Sequence, residues 1–380
     1  MVTNGKTKTL LANTFMATNS ESESIPVGKP LTLLVTGVGA PGIRGTLYAL
    51  RCNPDRRPVR VIGVDTQAKV VGALLVDKFY TVPAPETDGY IEALLEICRR
   101  DSVLAILPQT TRETAKLAAS LAELEHSGLR TMVSDASTIA SANNKGAVID
   151  VFERLGLPAP AWRRATTEGE LIAAAHALGY PKTPVVVKPL VSNGMRGVRI
   201  LRTDAWDVRR FLAEKPQGLE IAMEELVAIL RRGPWPELLV TEYLPGCEYT
   251  VDAFIGSKFS VAVPRVRESI RSGITFHSRT DLRADLMDYT LAAGRELGLR
   301  YAFGFQFKLA HDGTPKVLEC NPRIQGTMVA SVFSGANVIW FGVRELLQDP
   351  VSSLPQPLHA SEFLRYWGGV GLEEGGRFEI

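Results

Sequence analysis

Apolar and polar positions along the chain fall into two regimes. From Leu31 to about Val133, short apolar runs alternate with amphipathic stretches. Leu31-Thr32-Leu33-Leu34-Val35-Thr36 reads as a strand buried on both faces, as do Val59–Val64, Val103–Leu107 and Leu129–Val133. Helical spacing fills the gaps up to about Arg51 and over about 88–100 and 111–126. This alternation predicts an α/β domain with a parallel, Rossmann-like sheet and helices on both faces.

From about Asn143 the pattern changes. A helix over Lys145–Leu155 is stopped by Gly156 and Pro158. Then come a helix near 168–178, the strand Val185–Lys188, a loop at Ser192–Gly197 and a strand at Val198–Leu201. Further strands are expected near 238–243, 248–255 and 258–266, helices near 282–297 and 336–347, and a hairpin turning at Asp312-Gly313. Antiparallel strands with helices packed on them predict an α+β region.

Composition narrows the reading only modestly. A length of 380 residues predicts two or three domains, and 45% apolar content is enough for a sizeable core. With 43 basic and 41 acidic residues, the charge favours neither a nucleic acid nor a membrane surface as partner. Cys52, Cys98, Cys247 and Cys320 are scattered without a Cys-x-x-Cys pair, which fits a reduced, cytoplasmic setting and no zinc site. No apolar run reaches the length of a membrane span. Residues 1–29 are rich in Ser, Thr, Asn and Glu and read as a disordered tail, since Leu10-Leu11-Ala12 is too short for a signal-peptide core.

The chemistry concentrates in the hairpin. If Asp312-Gly313 forms a two-residue turn, Gln306 lies opposite Glu319, and alternation puts Asn321 on the same face. Arg323 follows just beyond. Hard oxygen ligands beside a guanidinium suit Mg²⁺ and the phosphates it carries, with Mn²⁺ as an alternative. Pro315 is a competing signal, because a one-residue slip would turn Gln306 to the other face.

Other motifs leave more than one reading open. Gly37-x-Gly39-x-x-Gly42 followed by Asp65 fits a dinucleotide fingerprint and a dehydrogenase. Pro41 removes a backbone donor from that loop, which then reads instead as tight strand–helix packing at the border of a substrate pocket. Lys145 and Lys188 are either solvated lysines or, for Lys188 at the end of an apolar strand, groups facing a cleft. The Ser192–Gly197 loop could fold over phosphates or be a common turn. The segment with Glu242, Tyr243, Leu244 and Glu248 could read an adenine and a ribose or be an exposed hairpin. Arg265, Arg267, Arg271, His277 and Arg279 crowd fifteen residues and read equally as an anionic-substrate site or a mobile loop. His277 is a candidate general base.

Taken in order, these pieces resemble the ATP-grasp superfamily, in the branch similar to one half of the carbamoyl-phosphate synthetase large subunit. The resemblance runs from about Leu31 to Arg344. It implies a Rossmann-like domain over 30–135 followed by an ATP-grasp region over 136–380, with a lid near 165–243 and a catalytic part near 244–380. It implies that Lys145 and Lys188 contact ATP phosphates under a loop of Ser192, Gly194, Arg196 and Gly197. Main chain at Glu242, Tyr243 and Leu244 would read adenine, and Glu248 would hold ribose. Gln306, Glu319 and Asn321 would hold Mg²⁺, and Arg323 would stabilise a phosphorylated intermediate. Two departures stand out: Gln306 is neutral where an acid is usual, and Asn144 precedes Lys145 where many relatives have Asp.

The function this implies is an ATP- and Mg²⁺-dependent carboxylate–amine ligase working through an acyl phosphate. Small-molecule acid and amine substrates would be its partners, and a homodimer would be in keeping with similar ligases. A bicarbonate-phosphorylating carboxylase or carbamoylating enzyme is the alternative on the same fold. A nicotinamide dehydrogenase and a non-catalytic nucleotide-binding regulator are alternatives of another class.

Overall fold

The computed structural model describes residues 30–192, 194–203, 212, 219–366, 368–373 and 376–379. The expected tail over 1–29 lies outside them. So do stretches 204–211 and 213–218 of the expected lid, apart from Leu212.

The first unit holds β1 (Leu31–Thr36), β2 (Val59–Asp65), β3 (Lys78–Thr81), β4 (Ala105–Leu107) and β5 (Arg130–Thr131). They form one parallel sheet in the order β3-β2-β1-β4-β5. Alternation along β1 sorts its side chains. Leu31, Leu33 and Val35 enter one core, while Leu34 joins the core under helix Tyr90–Asp101. The expected helix over 111–126 is two helices meeting at Ser120, Thr111–Ala119 and Leu121–His126. A helix over Ala136–Asn143 carries no strong apolar stripe and was not expected from the pattern.

A second sheet contains β6 (Trp162–Ala165), β7 (Val185–Pro189), β8 (Arg199–Leu201), β9 (Glu220–Ile221) and β10 (Leu238–Glu242), in the order β6-β10-β7-β8-β9. Helices Glu168–Ala177 and Met223–Leu230 close its core.

The third sheet is antiparallel: β11 (Glu248–Ile255), β12 (Ser260–Arg271), β13 (Ile274–Thr280), β14 (Tyr301–Leu309), β15 (Pro315–Asn321) and β16 (Glu362–Leu364), in the order β15-β14-β11-β12-β13-β16. The Arg265–Arg279 segment is therefore not a loop but two paired strands turning at Ser272-Gly273. Phe305 and Phe307 pack on helix Lys145–Arg154 through Phe152, with Phe303 edge-on to Phe305 in the same core. Helix Val338–Leu346 is apolar nearly all round because it lies between the first and third sheets, in one core with Leu33, Val35, Phe254 and Val263. Asn337 caps it and donates from Nδ2 to the Ala49 carbonyl at 2.7 Å, while Trp340 donates to Asp55 at 2.5 Å. This shared core fixes the parallel sheet against the antiparallel one.

The β14–β15 hairpin departs from the expected two-residue turn. The Ala310 N–H bonds to the Thr314 carbonyl, and pairing starts at Leu309 opposite Pro315. That is one residue out of the expected register. Leu318 is then an extra residue in β15, and beyond it Gln306 pairs with Glu319 and Gly304 with Asn321.

Candidate active site

A cleft of about 1990 Å³ runs between the three sheets. Lys188 enters it from the end of β7, and Lys145 from the first turn of helix Lys145–Arg154, whose N-terminus is capped by Asn144 accepting from Ala147 N. Asn144 is thus a helix cap, a role it fills as well as Asp would. Lys145 Nζ donates to the Ser192 carbonyl at 2.9 Å and to its hydroxyl at 3.2 Å, and lies 3.5 Å from Glu319 Oε2. Lys188 Nζ donates to the Leu318 carbonyl at 3.1 Å, the residue that bulges in β15. Burial pushes the Lys188 ammonium down to about 8, with Lys145 adding to the effect and Glu319 opposing it.

Gln306, Glu319 and Asn321 line the same cleft wall. Asn321 Nδ2 reaches Glu319 Oε1 at 3.5 Å. The three oxygen donors suit a hard divalent cation but carry one carboxylate among them. In keeping with that, no cluster of three or more His, Cys, Asp or Glu able to hold a metal exists among the described residues.

Arg323 is part-buried and anchored by three bonds: Nη2 to Asn321 Oδ1 at 3.3 Å, Nη1 to the Ile324 carbonyl at 2.9 Å, and Nε to Thr111 Oγ1 at 3.2 Å. Burial lowers its pKa from the usual guanidinium value, while Glu319 and Glu113 oppose the shift. Thr111 belongs to the first unit, and no local pattern signals this contact, which joins residues far apart in the chain.

On the other side of Lys188, Val186, Ile200 and Leu244 form an apolar stretch of the cleft, with the Tyr243 ring beside it over Lys308 at 5.5 Å. The Glu242 carboxylate accepts from Ala161 N and from Lys316 Nζ, each at 2.7 Å, so its side chain is already engaged. Its N–H bonds to the Ala161 carbonyl, whereas the Leu244 N–H has no backbone partner among the described residues. Glu248 accepts a hydrogen bond from Arg267 Nη1. Arg267 also donates to Thr275 Oγ1 at 2.8 Å and to the Gly273 carbonyl at 2.7 Å.

Within the Ser192–Gly197 loop, Asn193 lies outside the described residues. Ser192, Gly194, Met195 and Arg196 line the cleft. Gly194 and Gly197 both take positive φ, and a side chain on Gly197 would strike Pro189. Met195 packs at the β12–β13 turn, where a Cβ on Gly273 would come 3.1 Å from its sulfur.

Two of the residues expected at a substrate site are elsewhere. Arg265, 1% exposed, donates to Asp252 at 2.8 Å and to Ser278 at 3.2 Å, away from the cleft lining. It shares a face of β12 with Arg267 but lies deeper, beneath the cleft lining, where Asp252, 0% exposed, is its buried counter-charge. His277 is also absent from the lining and lies 3.6 Å from Glu362. Arg267 does line the cleft, but as the holder of Glu248.

The Gly37–Gly42 loop borders the cleft, and its acidic partner is engaged within the loop. Asp65 accepts from Gly39 N at 2.7 Å and from Gln67 N at 3.0 Å, so it braces its own loop. A Cβ on Gly42 would come 2.6 Å from Gly326 Cα, which shows how tightly the loop sits on the chain after β15. The first glycine turn serves packing between units.

Comparison with known proteins agrees with this layout. Residues 234–364 match a family model described as an ATP-grasp in the biosynthetic pathway with Ter operon, and residues 33–133 match the PylC-like N-terminal domain. Among solved structures, the ADP complex of an N5-carboxyaminoimidazole ribonucleotide synthetase aligns at a TM-score of 0.64 and 17% identity, over 89% of this chain and 82% of its own. A Campylobacter jejuni biotin carboxylase in a β,γ-ATP complex aligns at 0.65 and 17%, over 87% and 74%. The ADP complex of a Staphylococcus aureus N5-carboxyaminoimidazole synthetase aligns at 0.63 and 13%, over 87% and 79%. At such identities the likeness is one of fold. Helices long and apolar enough to cross a membrane are absent among the described residues. The chain thus has the ATP-grasp fold, with residues 234–364 similar to an ATP-grasp family and residues 33–133 similar to a PylC-like N-terminal domain.

Proposed function

We propose that the chain is an ATP- and Mg²⁺-dependent ligase that activates a small-molecule carboxylate as an acyl phosphate and joins it to an amine. The observation that supports this most directly is the convergence of Lys145, Lys188, Glu319, Asn321 and Arg323 on one cleft wall, with Gln306 opposite Glu319.

Lys145 and Lys188 supply two buried positive charges for the phosphates. The Ser192–Gly197 loop covers them and keeps water from a hydrolysable intermediate. The apolar stretch with Leu244 accepts the adenine ring, the free Leu244 N–H reads its edge, and Glu248, steadied by Arg267, accepts from the ribose hydroxyls. Gln306, Glu319 and Asn321 fit a divalent cation, which when bound neutralises phosphate charge as the phosphoryl group moves. With one carboxylate in that set, the cation depends on nucleotide oxygens for the rest of its charge compensation. Arg323 faces the negative charge that develops as the carboxylate oxygen attacks the γ-phosphorus. The amine then displaces phosphate to give the amide.

The reading keeps three units: a Rossmann-like one over 30–135, a lid near 165–243 and a catalytic part near 244–380. A homodimer in a cytoplasmic setting fits it. The Gly37–Gly42 loop and Gln109–Glu113, which line the far end of the cleft, leave room for an organic acid and its amine.

The test is phosphate release from MgATP across a matrix of amino acids, other carboxylates and amines. Release that needs one acid and one amine together supports a ligase. Release with bicarbonate and no organic acid would make the chain a carboxylating or carbamoylating enzyme. ATP binding with no release under any pairing would make it a regulator.

A further inference from the structure

Arg323 lies in the chain after β15, yet one of its three anchors comes from the parallel-sheet unit, 212 residues earlier in sequence. A guanidinium has five N–H donors in a rigid plane. Asn321 and Ile324 engage one hydrogen of each terminal nitrogen, and both residues are near neighbours that move with Arg323. The Nε–H bond to Thr111 Oγ1 is the remaining one, and it comes from an independent body. Two bonds from the same short segment fix a side chain relative to that segment. A third from outside fixes its plane relative to the cleft.

Thr111 is well built for this. It is the first residue of helix Thr111–Ala119, and the preceding Thr110 provides the cap: Glu113 N donates to Thr110 Oγ1, and the Glu113 carboxylate accepts from Thr110 N at 3.2 Å. Because Thr110 serves the helix end, the Thr111 hydroxyl is free to accept from Arg323. The capping box also makes the helix terminus rigid, so the acceptor is held still.

We propose that Thr111 is a positioning residue for the phosphoryl-transfer step: its hydroxyl takes the Nε–H of Arg323 and turns the remaining two N–H groups, one on each terminal nitrogen, toward the reacting oxygens. It rests on the reading of Arg323 given above. Its consequence is that the parallel-sheet unit, besides walling the cleft, sets the geometry of the catalytic part.

Two measurements test it. The first needs no substrate: hydrogen exchange of the Arg323 Nε–H, followed by NMR on ¹⁵N-arginine-labelled protein and assigned with Arg323→Lys. Thr111→Val should speed exchange about tenfold or more, and Thr111→Ser should restore protection. The second is phosphate release from MgATP with the acid and amine pair that supports release in the matrix above. Thr111→Val should lower kcat about 10- to 100-fold with KM for ATP within twofold, since small misplacements of a catalytic group cost that much. Thr111→Ser should recover most of the rate, and Thr111→Val should add nothing in an Arg323→Ala background. Unchanged exchange in Thr111→Val overturns the proposal. So does an equal kcat loss with and without Arg323, because Thr111 would then act on the substrate itself. If Arg323→Ala leaves phosphate release intact, the functional reading fails instead, whatever the exchange shows.

Discussion

Gln306 stands directly opposite Glu319 across the β14–β15 hairpin because Leu318, one residue earlier in β15, has no partner. The turn alone would have misaligned them by one residue, and a one-residue slip reverses the face of every side chain beyond it. The extra residue restores the alignment and turns its own carbonyl to Lys188. A local irregularity thus sets both the oxygen donors and the lysine beside them.

Replacing Glu319 with Ala removes the sole carboxylate of that set and should abolish ATP turnover. The thermal midpoint should hardly change, because Glu319 is part-exposed on the cleft wall. Gln306→Glu should act in the opposite sense, raising affinity for Mn²⁺ in the absence of nucleotide. Electron paramagnetic resonance titration of free Mn²⁺ measures this, and equal affinities for the wild type and Gln306→Glu would remove position 306 from the cation site.

Arg323→Ala should slow acyl-phosphate formation by roughly 10²–10³-fold, the scale for losing one group that stabilises developing charge. Binding of a non-hydrolysable ATP analogue should weaken far less. Equal losses in rapid-quench rate and in analogue affinity would say that Arg323 acts on the ground state only.

On the proposed function, Lys188 should make nucleotide binding pH-dependent. Its ammonium titrates near 8 in the folded chain against an ordinary 10.5. Between those values the unfolded chain holds a proton that the folded chain lacks, so this group makes stability rise with pH across the window and contributes no pH dependence below it. A bound triphosphate favours the ammonium and draws a proton back. Calorimetry in buffers of different ionisation enthalpy should therefore show proton uptake with ATP at pH 8.5 but little at pH 6.5, and affinity should fall as pH rises past 8. The same uptake at both values would contradict the assignment.

Arg265→Ala should be a stability mutation. It strands the carboxyl of Asp252, which burial raises to about 6 even with the guanidinium present, and losing one partner of a buried pair costs about 3–5 kcal/mol. Denaturant midpoints provide the check. A full-strength fold with a raised KM for the acid would instead return Arg265 to the substrate.

Gly42→Ala should cost about 1–3 kcal/mol, since its new methyl would meet Gly326 Cα at 2.6 Å. Gly326→Ala should be mild by the same measurement, because a Cβ there meets nothing closer than Gly42 N at 4.0 Å. If the two variants lose equal stability, the approach is not set by that contact.

Much of this was legible from residue patterns because period and turn chemistry are local. The largely apolar Leu31–Val35 run announced a strand buried on both faces, and Asp312-Gly313 announced a hairpin. The turn's true length and the Leu318 bulge were not legible, since bulges answer to what packs on the strand. The cationic segment misled for a related reason. Arg265 and Arg267 differ by two positions on β12, yet one meets a buried aspartate and the other a cleft glutamate. That division depends on β11, whose Asp252 and Glu248 meet them across the sheet. Asp65 at the end of β2 suggested a ribose contact, and no local pattern showed that its carboxylate accepts from the Gly39 N–H. The Thr111–Arg323 bond joins two units and leaves no local trace in either.

The tight turn at Ser272-Gly273 touches two distant parts of the cleft at once. Its carbonyl steadies Arg267 and, through it, Glu248, while its bare α-carbon gives Met195 a seat. A change at this one surface corner would therefore be felt on both sides of the cleft at once, with none of the facing lysines or carboxylates altered.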